Sequence, residues 1–261
     1  MDLPRRQPPD QEHPLKADPA AQLTLLDVQE LDSRVDTLTH QLATIPEAQQ
    51  LRELSARRKT LDNALRDLRI QVDDLTAEQK RADADVEQVK SRRTRDQAMI
   101  DSGQIGDPKA LERMLGELQS LNRRIGDLED VEIEVMERLE ETQTAVTRYT
   151  ADLAALETEI ATVQAALDES TQGLQGQLTQ VRQDRVTTAS GVPADLLALY
   201  DKLREQKGGV GAAALRRREC GGCRLTLNAS DLGIIGRQPA DEVVRCEECN
   251  RILVRTGESG L

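Results

Sequence analysis

The 261 residues carry a formal net charge of −12, with 31% charged and only 1% aromatic side chains: two Tyr, no Phe and no Trp. A globular core of this size normally uses aromatic bulk, whereas a coiled-coil seam is filled by Leu, Val, Ile and Ala, so the composition excludes a large globular domain. No apolar run is long enough for a membrane span or a signal-peptide core, and all four cysteines lie between positions 220 and 249, which predicts a cytoplasmic protein without membrane association.

Residues 1–17, proline-rich and polar, read as a disordered tail. A helix is predicted to begin at Asp18-Pro19, and Leu31, Val35, Leu38, Leu42 and Ile45 then recur at steps of three and four. Pro46 interrupts this beat, which resumes at Leu51 out of phase by one residue, so a kink or break is expected between Thr44 and Glu47. Leu54, Leu61, Leu65, Leu68, Val72, Leu75, Val86 and Val89 continue the first arm. Two glycines, at 103 and 106, can stop it, and Asp107 before Pro108 is a helix cap followed by the residue best suited to a first helical turn.

The second arm keeps the beat from Leu111 to Val181, with 17 of its 21 stepped positions apolar. A repeat of 3.5 residues held this long is a left-handed coiled-coil seam, and the helix would run for about 110 Å. Matched arms and a short connection predict an antiparallel hairpin over residues 18–189 within one chain, in which residue i faces roughly residue 208 − i. By that register Gln79 and Glu132 are nearly opposite and would fix alignment; the plainer reading is that they, like Arg58, Arg93, Asp96, Thr142, Ser170 and Gln177, reach past the seam to water. His13 and His40 read as solvated, with no ligand or nucleophile nearby.

Residues 190–207 predict a short linking helix, Ala194 to about Gln206, whose Leu196, Leu197, Leu199, Tyr200 and Leu203 must pack on the hairpin because so short a helix is unstable alone. Tyr200 reads as a packing residue with an exposed hydroxyl. Lys207-Gly-Gly-Val-Gly-Ala then forms a flexible passage into residues 208–261.

That last segment holds Cys220-Gly-Gly-Cys223 and Cys246-Glu-Glu-Cys249. Each pair can place two thiolates on one ion through a tight turn, and Gly221 and Gly222 let backbone amides approach the sulfurs. Two such knuckles brought together by short strands, for which Thr226 to Asn228, Glu242 to Arg245 and Ile252 to Arg255 are candidates, give a closed tetrahedral site for one structural zinc ion held by Cys220, Cys223, Cys246 and Cys249. A redox dithiol would need only one pair, and an iron–sulfur site suits the spacing less well. With every ligand supplied by protein, zinc here folds the ribbon and leaves no position for catalysis.

From Gly191 onward there are 11 Lys/Arg against 10 Asp/Glu, whereas the first 190 residues carry 24 against 37. Lys207, Arg216, Arg217, Arg218, Arg224, Arg245, Arg251 and Arg255 lie near the knuckles. Arg216, Arg217, Arg218, Arg224 and Arg251 are the candidate nucleic-acid contacts, directed at phosphates because aromatic stackers are missing. A solvated face, or a partner for the acidic helices, is the alternative.

The long heptad hairpin, VPADLLALYDKLREQKGGVGAAALRRRECGGCRLTL and VVRCEECNRILVRT together resemble the bacterial family of coiled-coil proteins with a C-terminal C4-type zinc ribbon. The resemblance covers nearly the whole chain after residue 17 and implies the same four cysteine ligands. Asn250 stands where zinc knuckles commonly have Gly, and Asn tolerates a left-handed turn. It also implies a mostly α protein, a hairpin followed by a small β ribbon, and a non-enzymatic adaptor. Such an adaptor would bind nucleic acid or a protein of the transcription or translation apparatus, with no catalytic residues and no small-molecule substrate. The alternative is a structural spacer whose only partners are proteins.

Overall fold

The computed structural model describes residues 15–261, so most of the predicted tail, His13 included, lies outside the described residues. The chain runs α1 (Pro19–Ala43), α2 (Pro46–Asp101), α3 (Pro108–Ala189), α4 (Ala194–Gln206), β1 (Ala212–Arg216), β2 (Glu219–Cys220), α5 (Ala229–Arg237) and β3 (Ile252–Arg255). The described residues divide into two compact units: a hairpin unit, residues 47–166, and a ribbon unit made of residues 15–46 together with 167–261. The fold is mostly helical, with one small three-stranded sheet at its C-terminal end.

Helix boundaries follow from capping chemistry. Asp18 accepts the Ala20 amide at 2.7 Å and Asp107 accepts the Lys109 amide at 3.1 Å, each with proline at the first helical position. α1 stops at Ala43 and α2 starts at Pro46, as a proline without an amide to donate requires.

In the hairpin unit α2 and α3 are antiparallel, since Arg58 pairs with Glu157 at 3.0 Å, Glu78 with Arg138 at 3.7 Å, Lys90 with Glu129 at 2.7 Å and Arg92 with Glu117 at 2.6 Å. Leu54, Leu65, Leu75 and Val86 of α2 and Leu118, Leu121, Ile125, Val135, Leu139, Leu156 and Val163 of α3 form the buried seam. Register differs from expectation. Glu132 meets Asp83, about one helical turn from Gln79, and partial burial with this like charge raises its carboxyl above the usual range. Side chains lean toward their own helix's N-terminus by about one position, which on antiparallel arms accounts for part of this shift. Thr142 is buried in the seam, its hydroxyl donating to the Arg138 carbonyl at 2.7 Å. Polar seam residues need not reach water when the backbone can satisfy them.

The ribbon unit is built differently. β1 is central, antiparallel to β2 and parallel to β3. Its core joins Leu25 and Val28 of α1, Ala189 of α3, Leu196, Tyr200 and Leu203 of α4, and Ala212, Ile252 and Val254 of the sheet. The boundary expected at 207/208 therefore runs through a shared core. The Gly-rich passage is pinned as well: a Cβ on Gly211 would lie 2.6 Å from the Tyr200 carbonyl, so only glycine fits. Gln29, 8% exposed, accepts the Gly211 amide at 2.8 Å and donates to the Gly209 carbonyl at 3.0 Å. Leu15 accepts the Val243 amide at 2.9 Å and Ala17 donates to the Asp241 carbonyl at 2.7 Å, so the end of the expected tail is tied to the ribbon.

Tyr200 departs most from expectation. Its side chain is fully buried and its hydroxyl donates to Asp32 at 2.7 Å. Burial, then the Asp32 carboxylate, push the phenol well above its ordinary range. Asp32 also meets Arg185 at 3.2 Å and Arg204 at 3.6 Å, while Arg185 reaches Asp201 at 2.9 Å and Arg204 reaches Asp36 at 2.6 Å. A phenol in an apolar core needs a hydrogen-bond acceptor, and a carboxylate there needs cations.

Candidate metal centre

The two cysteine pairs occupy matching turns. The Arg224 amide donates to the Cys220 carbonyl at 2.7 Å and the Asn250 amide to the Cys246 carbonyl at 2.8 Å. Closing each turn, the Cys220 amide donates to the Leu225 carbonyl at 3.1 Å and the Cys246 amide to the Arg251 carbonyl at 3.0 Å. Both turns put the residue after the second cysteine in the left-handed region, Arg224 at φ 60° and Asn250 at φ 64°. Gly222 is needed because a Cβ there would meet Arg251 at 2.7 Å.

The four sulfurs lie within 4.8 Å of one another, with Cys220 to Cys249 and Cys223 to Cys246 both at 3.9 Å. A tetrahedron with zinc–sulfur bonds of about 2.3 Å has edges of about 3.8 Å, so the cluster fits one structural zinc ion. Burial raises the Cys246 thiol to about 12, and raises Cys220 as well. Burial also opposes ionisation of Cys249, but hydrogen bonds from the Arg251 backbone and side chain lower it to about 7. The Gly222 and Cys223 amides face Cys220, and the Glu248 and Cys249 amides face Cys246. These amides and a cation would hold the thiolate form that burial opposes.

Around this centre the arginines divide. Arg251 donates to the Val210 and Lys207 carbonyls, both at 2.8 Å, and Arg255 donates to the carbonyls of Ile235, Gln238, Pro239, Ala240 and Glu242. Both are struts: Arg251 fixes the entry to β1, and Arg255 gathers the C-terminal end of α5 and the following turn. Arg251, expected to face phosphate, is thus engaged internally. Arg216, Arg217, Arg218 and Arg224 remain exposed, Arg216 paired loosely with Glu258 at 3.7 Å. Arg217 and Arg218 form the two-residue turn between β1 and β2, with φ of 49° and 69°, a type I′ geometry that favours Asn-Gly. The turn is held from outside, as the Arg217 amide donates to the Glu258 carbonyl at 2.7 Å and the Arg218 amide to the Ser259 carbonyl at 3.0 Å.

Sequence reasoning missed α5; of its three strand candidates Ile252 to Arg255 is β3, while Thr226 and Arg245 form only isolated bridges, with Glu219 and Ile252. Asn228, which caps α5 by accepting the Asp231 amide at 2.9 Å, was the available signal.

Comparison with known proteins agrees with this architecture. The CT398-like coiled coil hairpin domain family matches residues 28–208, and the C4-type zinc ribbon domain family matches residues 220–253. The Mycobacterium tuberculosis protein Rv2229c is 33% identical over 241 residues, covering 92% of this chain and 98% of its own length. A solved structure from Mycobacterium smegmatis aligns with a TM-score of 0.78 at 31% identity, covering 92% of this chain and 100% of that one. CT398 from Chlamydia trachomatis shares the fold, with a TM-score of 0.66 at 16% identity over 91% of this chain and 98% of its own. The chain belongs to the CT398-like family of coiled-coil hairpin proteins that end in a C4-type zinc ribbon.

Proposed function

We propose that this protein is a cytoplasmic, non-enzymatic adaptor whose zinc-ordered ribbon contacts nucleic acid through Arg216, Arg217, Arg218 and Arg224, in the service of the transcription or translation apparatus. A coiled-coil hairpin joined to a zinc ribbon fits an adaptor, and the hairpin suits protein interaction. No helix among the described residues is long and apolar enough to cross a membrane, and the four cysteines are unpaired by disulfides, as a reducing compartment requires.

The observation that carries the nucleic-acid contact is the backbone of three arginines. Arg217, Arg218 and Arg224 all hold left-handed φ, at 49°, 69° and 60°, in positions that Gly or Asn would fill without strain. Such strain costs on the order of 1 kcal/mol per residue and tends to be kept where the side chain serves a purpose outside the fold. Four exposed cations on two rigid turns offer phosphate contacts with little base selectivity. The near-even charge of the chain from Gly191 onward, 11 cations to 10 anions, favours the second reading, a spacer that binds only proteins.

Anisotropy titrations of labelled single-stranded RNA and duplex DNA at two salt concentrations separate them, comparing the zinc-loaded protein with R216S/R217S/R218S. The adaptor reading expects the variant to bind all sequences more weakly, by about the same factor, with a flatter salt dependence. Unchanged binding rejects this surface, and no binding by either protein leaves the spacer.

A further inference from the structure

The hairpin unit buries one seam and leaves a second stripe beside it. On α3, Ile133, Met136, Glu140, Gln143 and Thr147 recur at steps of three and four, each one position beyond a seam residue and so about 100° around the helix. On α2, Arg69 and Asp73 hold the equivalent offset from Leu68 and Val72. On antiparallel helices equal offsets fall on the same side, and two shallow grooves mark that side. One, of about 590 Å³, is lined by Ile133, Met136, Glu137, Leu139 and Glu140 with Gln79 opposite. The other, of about 430 Å³, is lined by Arg69, Val72 and Asp73 facing Val146 and Thr147. Gln143 lines both, so they form one trough between the arms, on the order of 15–20 Å long, or three to four turns of a helix.

Its walls are apolar where a coiled coil needs nothing apolar. Ile133 is 54% exposed and Met136 46%, although long polar side chains would serve on a solvated face. Its charge is mostly negative: Asp73, Glu137 and Glu140 line it against one cation, Arg69. Residues 127–141 contain eight Asp/Glu and a single cation, Arg138, which is already paired with Glu78. Among the described residues no ion pair engages Asp73, Glu137 or Glu140.

We infer that this trough is a docking site for one helix of a partner protein, amphipathic, with an apolar stripe and basic flanks, completing a local three-helix bundle. The apolar stripe would cover Ile133, Met136 and Val146, and the flanking Lys or Arg would pair with Asp73, Glu137 and Glu140. Charge disfavours a second copy of this chain as the occupant, because residues 47–166 hold 18 Lys/Arg against 26 Asp/Glu and two such faces repel. The site is independent of the ribbon's arginines and gives the adaptor a second hand.

The probe is a labelled peptide of four helical turns, Leu at heptad a and d positions and Lys elsewhere, titrated into the full zinc-loaded protein at physiological salt. Controls are the same composition in scrambled order and the Leu/Glu counterpart. The ordered basic peptide should bind at least about tenfold tighter than either control and gain helical circular dichroism on binding. I133D/M136D should lose that preference, and E137K/E140K should transfer it to the Leu/Glu peptide; all four positions lie off the buried seam, and unchanged melting curves verify that the hairpin persists. Equal binding of ordered and scrambled peptides, or wild-type preference retained in both variants, overturns the site. Concentration-dependent dimerisation abolished by I133D/M136D also overturns it, since the trough would then be occupied by a second copy.

Discussion

The hairpin unit and the ribbon unit are stabilised by opposite strategies. The hairpin repeats one solution: a single layer of Leu, Val and Ile, with ion pairs such as Arg58–Glu157 whose side chains stay about half exposed. Such exposed pairs contribute about 0–1 kcal/mol each, so the seam carries the stability. The ribbon unit never repeats. It buries Gln22, Gln29 and Asp32, all from α1, and satisfies them with partners far along the chain: the Ala240 carbonyl, the backbone of Gly209 and Gly211, and Arg185, Tyr200 and Arg204. Periodic burial distributes stability evenly along the chain. A polar-studded core concentrates it in a few groups, and its failures should be abrupt.

The largest effect expected is from metal removal. Chelation, or Cys246→Ser, should abolish protection from hydrogen exchange in β1, β2, α5 and β3, because a cluster of uncoordinated thiols cannot replace the metal's crosslink. Since α1 and α4 share a core with β1 and β3, those helices should lose protection too, while residues 47–166 keep theirs. Protection retained in α1 and α4 would show that the shared core stands without zinc, and loss throughout the hairpin would dissolve the contrast between the units.

Next is Asp32→Ala, which leaves the Tyr200 hydroxyl without its acceptor and strips Arg185 and Arg204 of their common carboxylate. Breaking a buried ion network by removing one partner costs about 3–5 kcal/mol, and the partly exposed arginines place this case near the lower figure. Urea denaturation should register it in a probe of the ribbon unit. A cost near zero would mean water replaces the carboxylate readily.

Leu75→Ala removes a seam side chain that is 2% exposed and should cost about 2–3 kcal/mol, toward the low end for core truncations because a two-helix seam can close on the gap. It should destabilise the hairpin and leave zinc affinity unchanged. A shift in both would again tie the units together.

The smallest effect is a pH dependence. Tyr200 is raised in the folded protein, so its proton is held in both states below about pH 10 and its contribution is fully present there. Above that pH the unfolded tyrosine ionises first, unfolding releases the proton, and stability falls. Tyr200→Phe should cost about 1 kcal/mol at pH 8 and show a shallower decline between pH 9 and 11 than the wild type. Parallel declines would place the sensitivity elsewhere.

What the sequence determined by itself rested on local rules, although α5, announced by the local cap at Asn228, escaped it. The 3.5-residue beat specified the hairpin, Pro46 and Asp107-Pro108 specified the helix limits, and the two C-x2-C spacings specified the metal ligands, because each depends on neighbours a few residues apart. Tertiary structure decided the rest. Tyr200 was readable as apolar but not as the donor to Asp32, 168 residues away. Arg251 and Arg255 looked like surface cations until carbonyls from distant turns closed on them. The register near Glu132, which meets Asp83 and not Gln79, depended on how the two helices pack, which a count back from the turn only approximates. A polar side chain's role is set by what the fold brings to it, and only an apolar repeat announces its partner in advance.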